Sequence, residues 1–442
     1  MKAKQDISCR LQTALAADKA IIQAAKRVEV ALSGGLDSIV LFHLLASVRD
    51  VWGIELSAVH VHHGLQTEAD AWAAFCRNFC ERHHIALRVC RVNISADGKG
   101  IEATAREARY AEFARSSAPI IALAHHADDQ VETFLLAALR GGGLRALSAM
   151  PKWRDFAENK LIWRPLLPFL RQELMQYAEQ HALPHVEDPS NQNPAYLRNW
   201  LRQQVLPNWQ TRLPHYKQHL QNSVSLLQDE LTLLDEYLAA DYRELLSSGR
   251  LNLAAWRALS VAKQKALLAY FVRQHDDAFL SPAALANTTE ILRTSPQTHQ
   301  VSLKNGILYA YQNGLWYLKP RWQSETQDAC RLQSLWQGQD GWCLMPAKNG
   351  LSAADLAKVN SIRAVNKNDV IELNIGRKNI MQLLQEHKVA PIFRPHFLAL
   401  FDENGECMAV NSLRVAAKYS SENGVLPIFE PQNNWILKPV AR

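Results

Sequence analysis

The chain has 442 residues, 48% of them hydrophobic and 21% charged, which excludes a disordered polymer and leaves room for two or three domains. Its seven cysteines are odd in number and scattered, with no C-x-x-C pair, which argues against a disulfide framework and for a reducing compartment. The formal charge of +6 suits a polyanionic partner where it clusters. No run approaches the ~18 apolar residues of a membrane span, and the N-terminal lysines precede no continuous apolar stretch, so a soluble cytoplasmic protein that avoids membranes is expected.

Strands are predicted at 28–32, 54–61, 85–92 and 120–124, alternating with helices at 36–47, 68–83, 101–116 and 129–139. Such alternation implies βαβ units, hence an α/β domain with a parallel sheet covered by helices on both faces. Ligands of such sheets sit at the carboxyl ends of strands near the switch point. The first strand runs straight into Ser33-Gly34-Gly35-Leu36-Asp37-Ser38, and an apolar helix follows at once. Two glycines let backbone N–H groups approach an anion, the helix N-terminus adds more N–H groups, and Ser33 and Ser38 add hydroxyls. This is a phosphate cradle without the G-K-[ST] of a Walker loop. Its negative charge must be met by a metal on Asp37 and by basic residues from elsewhere. A serine-glycine turn that merely caps a helix is the alternative.

His60-Val-His-His-Gly64 follows the second strand, where the histidines either contact an adenosine or are satisfied at a turn. Arg106 and Arg109, three apart on a helix, either supply charge to the loop or pair with Glu102 and Glu107. Ala124-His-His-Ala-Asp-Asp-Gln-Val-Glu-Thr133 follows the fourth strand. Asp128, Asp129 and Glu132 share one face of the helix start, and capping needs only one of them. Acids beside a phosphate cradle suit Mg²⁺, which takes a few carboxylates plus phosphate oxygens, so Asp37, Asp129 and Glu132 are the expected ligands. His125 is placed to orient or protonate a phosphate. Zinc on the histidine pair is disfavoured, because no third and fourth ligand stand at suitable spacing.

Arg140-Gly-Gly-Gly-Leu-Arg145 breaks the next helix as either a flap or a linker. From Pro189 to Gln228 there is no Asp or Glu, while Arg198, Arg202, Arg212, Lys217, Tyr196, Trp200, Trp209 and Tyr216 occupy the stretch. A domain boundary is expected near residue 215. Helical spacing dominates 218–295, followed by two hairpin turns at Asn305-Gly306 and Asn313-Gly314. The end is mixed, with strands expected at 362–365, 370–373, 398–401 and 408–410 and a helix at 380–385. Between Lys358 and His396, Lys358, Arg363, Lys367, Arg377, Lys378, Lys388 and Arg394 face only Asp369, Glu372 and Glu386. That bias fits either contact with nucleic-acid phosphates or a solvated charged face. Three domains result: 1–215 catalytic, 216–325 mostly helical, and 326–442 a small basic α+β module.

In order along the chain, Ser-Gly-Gly-Leu-Asp-Ser, Val-His-His-Gly-Leu65, Ala-Arg-Glu-Ala-Arg-Tyr110, His-His-Ala-Asp-Asp-Gln-Val-Glu-Thr133, Arg-Gly-Gly-Gly-Leu-Arg145, Trp163-Arg-Pro-Leu-Leu and Asp188-Pro-Ser-Asn…Tyr196-Leu-Arg-Asn199 resemble the tRNA(Ile)-lysidine synthases. These belong to the pyrophosphate-loop ATPases, with an adenine nucleotide alpha hydrolase-like catalytic domain. Gly376-Arg-Lys…Pro391…Arg394-Pro is similar to the family's tRNA-contacting terminal domain. The resemblance covers nearly the whole chain and is weakest between about 320 and 355.

The resemblance implies that ATP adenylates C2–O of the wobble cytidine in an isoleucine tRNA with a CAU anticodon. Free L-lysine then displaces AMP to leave lysidine. It further implies that Ser33, Gly34, Gly35, Leu36, Asp37 and Ser38 hold the pyrophosphate end of ATP, with His60 and Arg109 also on the nucleotide. Asp37 assists Mg²⁺, Arg198 stabilises the α-phosphate, and Asp129 or His125 handles the lysine amine, which must be neutral to attack. A tRNA thiolase shares the loop, but usually carries sulfur on C-x-x-C pairs that this chain lacks.

Overall fold

A computed structural model describes residues 6–64, 68–92, 101–157, 159–189, 193–194, 196–247, 249–275, 280–295, 298–320, 330–337 and 340–436. Leu65, Ser190 and Asn191 of the motifs above lie outside the described residues. The chain divides into two compact units, Met1–Leu233 and Leu234–Arg442.

The first unit runs α1 (Ile7–Ala16), α2 (Lys19–Ala25), β1 (Arg27–Ala31), α3 (Leu36–Trp52), β2 (Glu55–His62), α4 (Ala69–Arg82), β3 (Ala86–Arg91), α5 (Ile101–Ala114), β4 (Ile120–Ala122), α6 (Ala127–Leu139), α7 (Leu144–Leu147), β5 (Trp153–Ala157), β6 (Lys160–Trp163) and α8 (Arg171–Gln180). The sheet order is β3-β2-β1-β4-β6-β5. All neighbours are parallel except β5, which turns back on β6 at one edge. The chain leaves β1 toward β2 and β3, then crosses to β4 on the other side. The switch point therefore lies between β1 and β4, where Val28 pairs with both Leu56 and Ile120.

Apolar side chains drive this arrangement. Ile39, Val40, Leu41, Phe42, Leu44 and Leu45 of α3 are fully buried against the sheet. Each contributes about 1.5–3 kcal/mol of burial free energy. Two features go beyond the sequence expectations. Helices α1 and α2 precede β1, and the β5–β6 hairpin extends the parallel sheet with an antiparallel edge. One buried carboxylate links the two features: Asp18 accepts from the indoles of Trp153 (3.2 Å) and Trp163 (2.9 Å) and pairs with Lys152 at 2.6 Å. The two indoles stack with centroids 5.5 Å apart.

After α8 the chain forms α9 (Leu197–Trp200), a π-helical segment Leu201–Val205, α10 (Leu206–Arg212) and the long α11 (Tyr216–Leu245). In the second unit, helices Leu253–Arg257, Val261–His275 and Pro282–Thr294 accompany a five-stranded sheet that contains the two expected hairpins, and Trp256, Leu267, Leu268 and Phe271 are buried in its core. The C-terminal strands Ser361–Ala364, Val370–Leu373, Leu398–Phe401 and Cys407–Val410 share a second sheet, and helix Ile380–Glu386 stands where its spacing placed it. A further four-stranded sheet, including Trp342–Ala347 and Gly424–Phe429, is not anticipated by the sequence. No helix among the described residues is long and apolar enough to cross a membrane.

Candidate active site

The loop after β1 is shaped by its own hydroxyls. Ser38 Oγ accepts from Ser33 N (3.2 Å) and donates to Gly35 O (2.9 Å), and Ser33 Oγ accepts from Gly35 N (3.3 Å). Gly34 has φ +90°, a conformation that favours glycine, and its carbonyl accepts from Val186 N at 3.0 Å. A Cβ there would stand 3.0 Å from Val186 Cγ2 and 3.2 Å from Cys76 Sγ. Gly35 then caps α3 in extended geometry, so the N-terminus of a 17-residue helix opens onto the loop with Asp37 in its first turn.

The end of β4 supplies the facing cluster. His126, only 2% exposed, is the N-cap of α6, and its N–H donates to Asp129 Oδ2 at 3.0 Å. Its ring reaches three carboxylates: Asp37 (3.7 Å), Asp129 (3.5 Å) and Asp128 (3.7 Å). Thus one imidazole bridges the phosphate loop and the acid motif. Glu132 is 1% exposed and carries two guanidinium groups. Arg198 Nε donates to Oε2 at 2.7 Å, while Arg202 donates to Oε1 (2.7 Å) and Oε2 (2.9 Å). Arg198 also lies 3.5 Å from Asp129 Oδ1.

A cavity of about 1010 Å³ opens over the carboxyl ends of β1, β2 and β4, large enough for a nucleotide. Of the residues singled out from sequence, Ser33, Gly35, Leu36, Asp37, Ser38, His60, Arg109 and His125 line it. Gly34, Asp129, Glu132 and Arg198 are not on its wall; Arg202 is, and it joins the Glu132 cluster to the cavity. His60 Nδ1 bonds Leu32 O at 2.9 Å, and burial first of all lowers its pKa, so the imidazole is held neutral. Burial likewise lowers His125, against the opposing pull of Asp129. Burial raises Asp37, partly offset by His126 and Arg171. Burial also acts to raise Asp129, but His126 and Arg198 outweigh it and hold that carboxyl low.

A PP-loop domain model matches residues 4–209. The tRNA(Ile)-lysidine synthase of Neisseria meningitidis is 38% identical over 409 residues, covering 91% of this chain and 96% of that protein. The enzyme of the same name from Chromobacterium violaceum is 37% identical over 421 residues, covering 91% and 95%. The chain belongs to the tRNA(Ile)-lysidine synthase family. It is therefore an ATP-binding ligase of tRNA processing. Among solved structures, a U34-tRNA thiolase from Methanococcus maripaludis is similar at 18% identity and a TM-score of 0.43, covering 51% of this chain and 81% of that one.

For a lysidine synthase fold, four contributors to this site are absent from the sequence-derived set. His126 sits in a quoted motif, but its neighbour His125 was favoured; strand-end geometry turns His126 inward and leaves His125 at the cavity. Arg202 is legible as the partner of Arg198 four residues on. Arg171 donates its N–H to Asp128 (2.8 Å) and places Nε 3.9 Å from Asp37, and Lys217 pairs with Asp128. Neither Arg171 nor Lys217 has a local motif, because their contact with α6 exists only after folding. Glu132, expected on a metal with Asp37 and Asp129, has both oxygens on arginines instead. Among the described residues, no group of three or more His, Cys, Asp or Glu is arranged to hold a metal ion by itself.

Proposed function

We propose that the chain uses ATP and Mg²⁺ to adenylate the wobble cytidine of an isoleucine tRNA with a CAU anticodon, and joins free L-lysine to C2 with release of AMP. One observation carries this reading: the phosphate loop lines a nucleotide-sized cavity at the switch point, and Arg202 on the same wall ties it to the Asp129–Glu132–Arg198 cluster behind. Backbone N–H groups of residues 34–38 and the α3 N-terminus hold the pyrophosphate end of ATP. Arg202, with Arg198 behind it, meets charge that develops on the α-phosphate. Their pairing with buried Glu132 fixes both guanidiniums in advance. His60 and Arg109 line the same cavity and, in this reading, contact the nucleotide.

A Mg²⁺ ion fits Asp37. Its Oδ1 is buried with no hydrogen-bond partner, and the Asp129 carboxylate is joined to it through His126. Magnesium needs only one or two protein carboxylates beside phosphate oxygens. When bound, the ion neutralises phosphate charge and stabilises the departing pyrophosphate.

Lysine must lose an ammonium proton before it attacks. Asp129 or His125 handles that amine: Asp129, held ionised just behind the wall, draws the ammonium, while burial makes the His125 imidazole at the wall a weaker base than a free one. A sulfur-transfer reading is disfavoured at Cys76 and Cys80, whose thiols burial pushes up to about 12. The basic C-terminal module supplies further contact with tRNA phosphates.

Asp37→Ala tests the core of this account. It should abolish tRNA-dependent AMP formation, a drop of at least about a hundredfold, while tRNA binding measured by filter retention persists. Loss of both together would make the loop merely structural.

A further inference from the structure

The helix that presents the two arginines to Glu132 presents something else on its opposite side. Arg198, Asn199, Leu201 and Arg202 turn inward; Asn199 is 8% and Leu201 2% exposed. Tyr196, Leu197 and Trp200 turn outward and are 41%, 43% and 37% exposed. Tyr196 and Trp200 stand one helical turn apart, with Trp200 N donating to Tyr196 O at 2.9 Å, so their rings share a face. Neither ring stacks on another among the described residues, whereas Trp209 nearby packs edge-on against Tyr216. The segment is also free of acids from Pro189 to Gln228.

Chemistry on a base requires that base to leave its stack, and the unstacked neighbours lose contact area. Exposed aromatic rings in a basic, acid-free surface replace that area, because every base has a flat apolar face. The position is decisive. Arg202, two residues from Trp200, lines the ATP cavity. Trp200 is on the outer side of the same short segment, so a base laid on it belongs to RNA that passes around this segment toward the cavity.

We propose that Tyr196 and Trp200 form a stacking platform for a nucleotide flanking the reactive cytidine, holding the anticodon loop open at the cavity mouth. The proposal rests on the reading that a tRNA anticodon is the substrate. The occupant is single-stranded RNA: the segment that carries the rings contributes arginines and no acid from Pro189 to Gln228, and its exposed rings offer flat apolar faces to unpaired bases.

The test uses the full chain with Trp200→Ala, Trp200→Phe and the Tyr196→Ala/Trp200→Ala pair. The probe is unmodified isoleucine tRNA carrying 2-aminopurine in place of the adenosine 3′ to the wobble cytidine. Trp200→Ala should raise the tRNA dissociation constant about tenfold, the usual scale for one lost base stack. It should also abolish the fluorescence change on binding, with ATP affinity and thermal midpoint at parental values. Trp200→Phe should restore most of both signals. If the folded double variant binds tRNA and perturbs the probe as the parent does, the platform is wrong. If ATP affinity falls in step with tRNA affinity and phenylalanine does not rescue, Trp200 merely supports the arginine turn, and the platform is again wrong. A parent chain that binds no isoleucine tRNA would instead overturn the substrate reading on which the platform rests.

Discussion

At the scale of single residues, the first unit carries half-buried histidines that are held neutral. His43 on α3 bonds Tyr177 Oη at 2.9 Å and lies 5.0 Å, ring to ring, from His181 and 6.0 Å from His83. Burial first, then those two imidazoles, lowers its pKa to about 4. His63, beside the cavity, is lowered to about 4 by burial and then by Arg109. An unfolded imidazole takes its proton near 6.5, while these folded ones refuse it until about 4. Their contribution to stability is therefore complete above pH 6.5 and is lost as pH falls through the window from 6.5 to about 4. Urea midpoints should fall steadily across that window, and His43→Gln should flatten the decline. Equal midpoints at both ends of it would show that the histidines protonate alike in both states. Candidate site residues were legible to the extent that they sit in contiguous motifs. Asp37, Ser38, His125 and Asp129 were singled out for this reason, whereas Glu132 was singled out as a metal ligand and has its oxygens on Arg198 and Arg202 instead. Arg171 and Lys217 were not, since only tertiary packing carries them to Asp128.

At the scale of elements, the loop between β1 and α3 makes the sharpest demand on the sequence. Gly34 combines a φ of +90° with neighbours 3.0 and 3.2 Å from any added Cβ. Gly34→Ala should cost about 1–3 kcal/mol of stability and weaken ATP binding about tenfold or more, seen together in a thermal melt and an ATP titration. An unchanged melt with normal ATP affinity would mean that the loop tolerates another geometry. The alternation of apolar strands with 3.6-period helices made β1 to β4 and α3 to α6 readable within a few residues, because period and burial agree there. The β5–β6 hairpin was not readable. Its stability comes from stacked Trp153 and Trp163 and from Asp18, more than 130 residues away. The four-stranded sheet near the C-terminus escaped for a similar reason: it pairs Trp342–Ala347 with Gly424–Phe429, and Gly350–Leu351 is too short to show a period.

At the scale of the whole molecule, α11 spans Tyr216–Leu245 and starts beside Asp128, which Lys217 pairs with. The basic bias of the C-terminal module is smaller in the folded protein than in the sequence. Lys358, Arg363 and Lys378 are taken up by Asp355, Asp369 and Glu386. Lys367, Arg377 and Lys388 remain exposed. If the exposed side chains meet tRNA phosphates, Arg377→Ala should weaken tRNA binding and reduce the slope of log affinity against log salt by about 1, with ATP affinity unaffected. An unchanged slope would remove Arg377 from the interface. The central claim is that the cavity activates a cytidine for attack by lysine. The most direct measurement is incubation of the full chain with ATP, Mg²⁺, radiolabelled lysine and unmodified isoleucine tRNA. The account predicts label in the RNA, with one AMP and one pyrophosphate released for each lysine joined. Release of AMP and pyrophosphate with no lysine entering the RNA would contradict it.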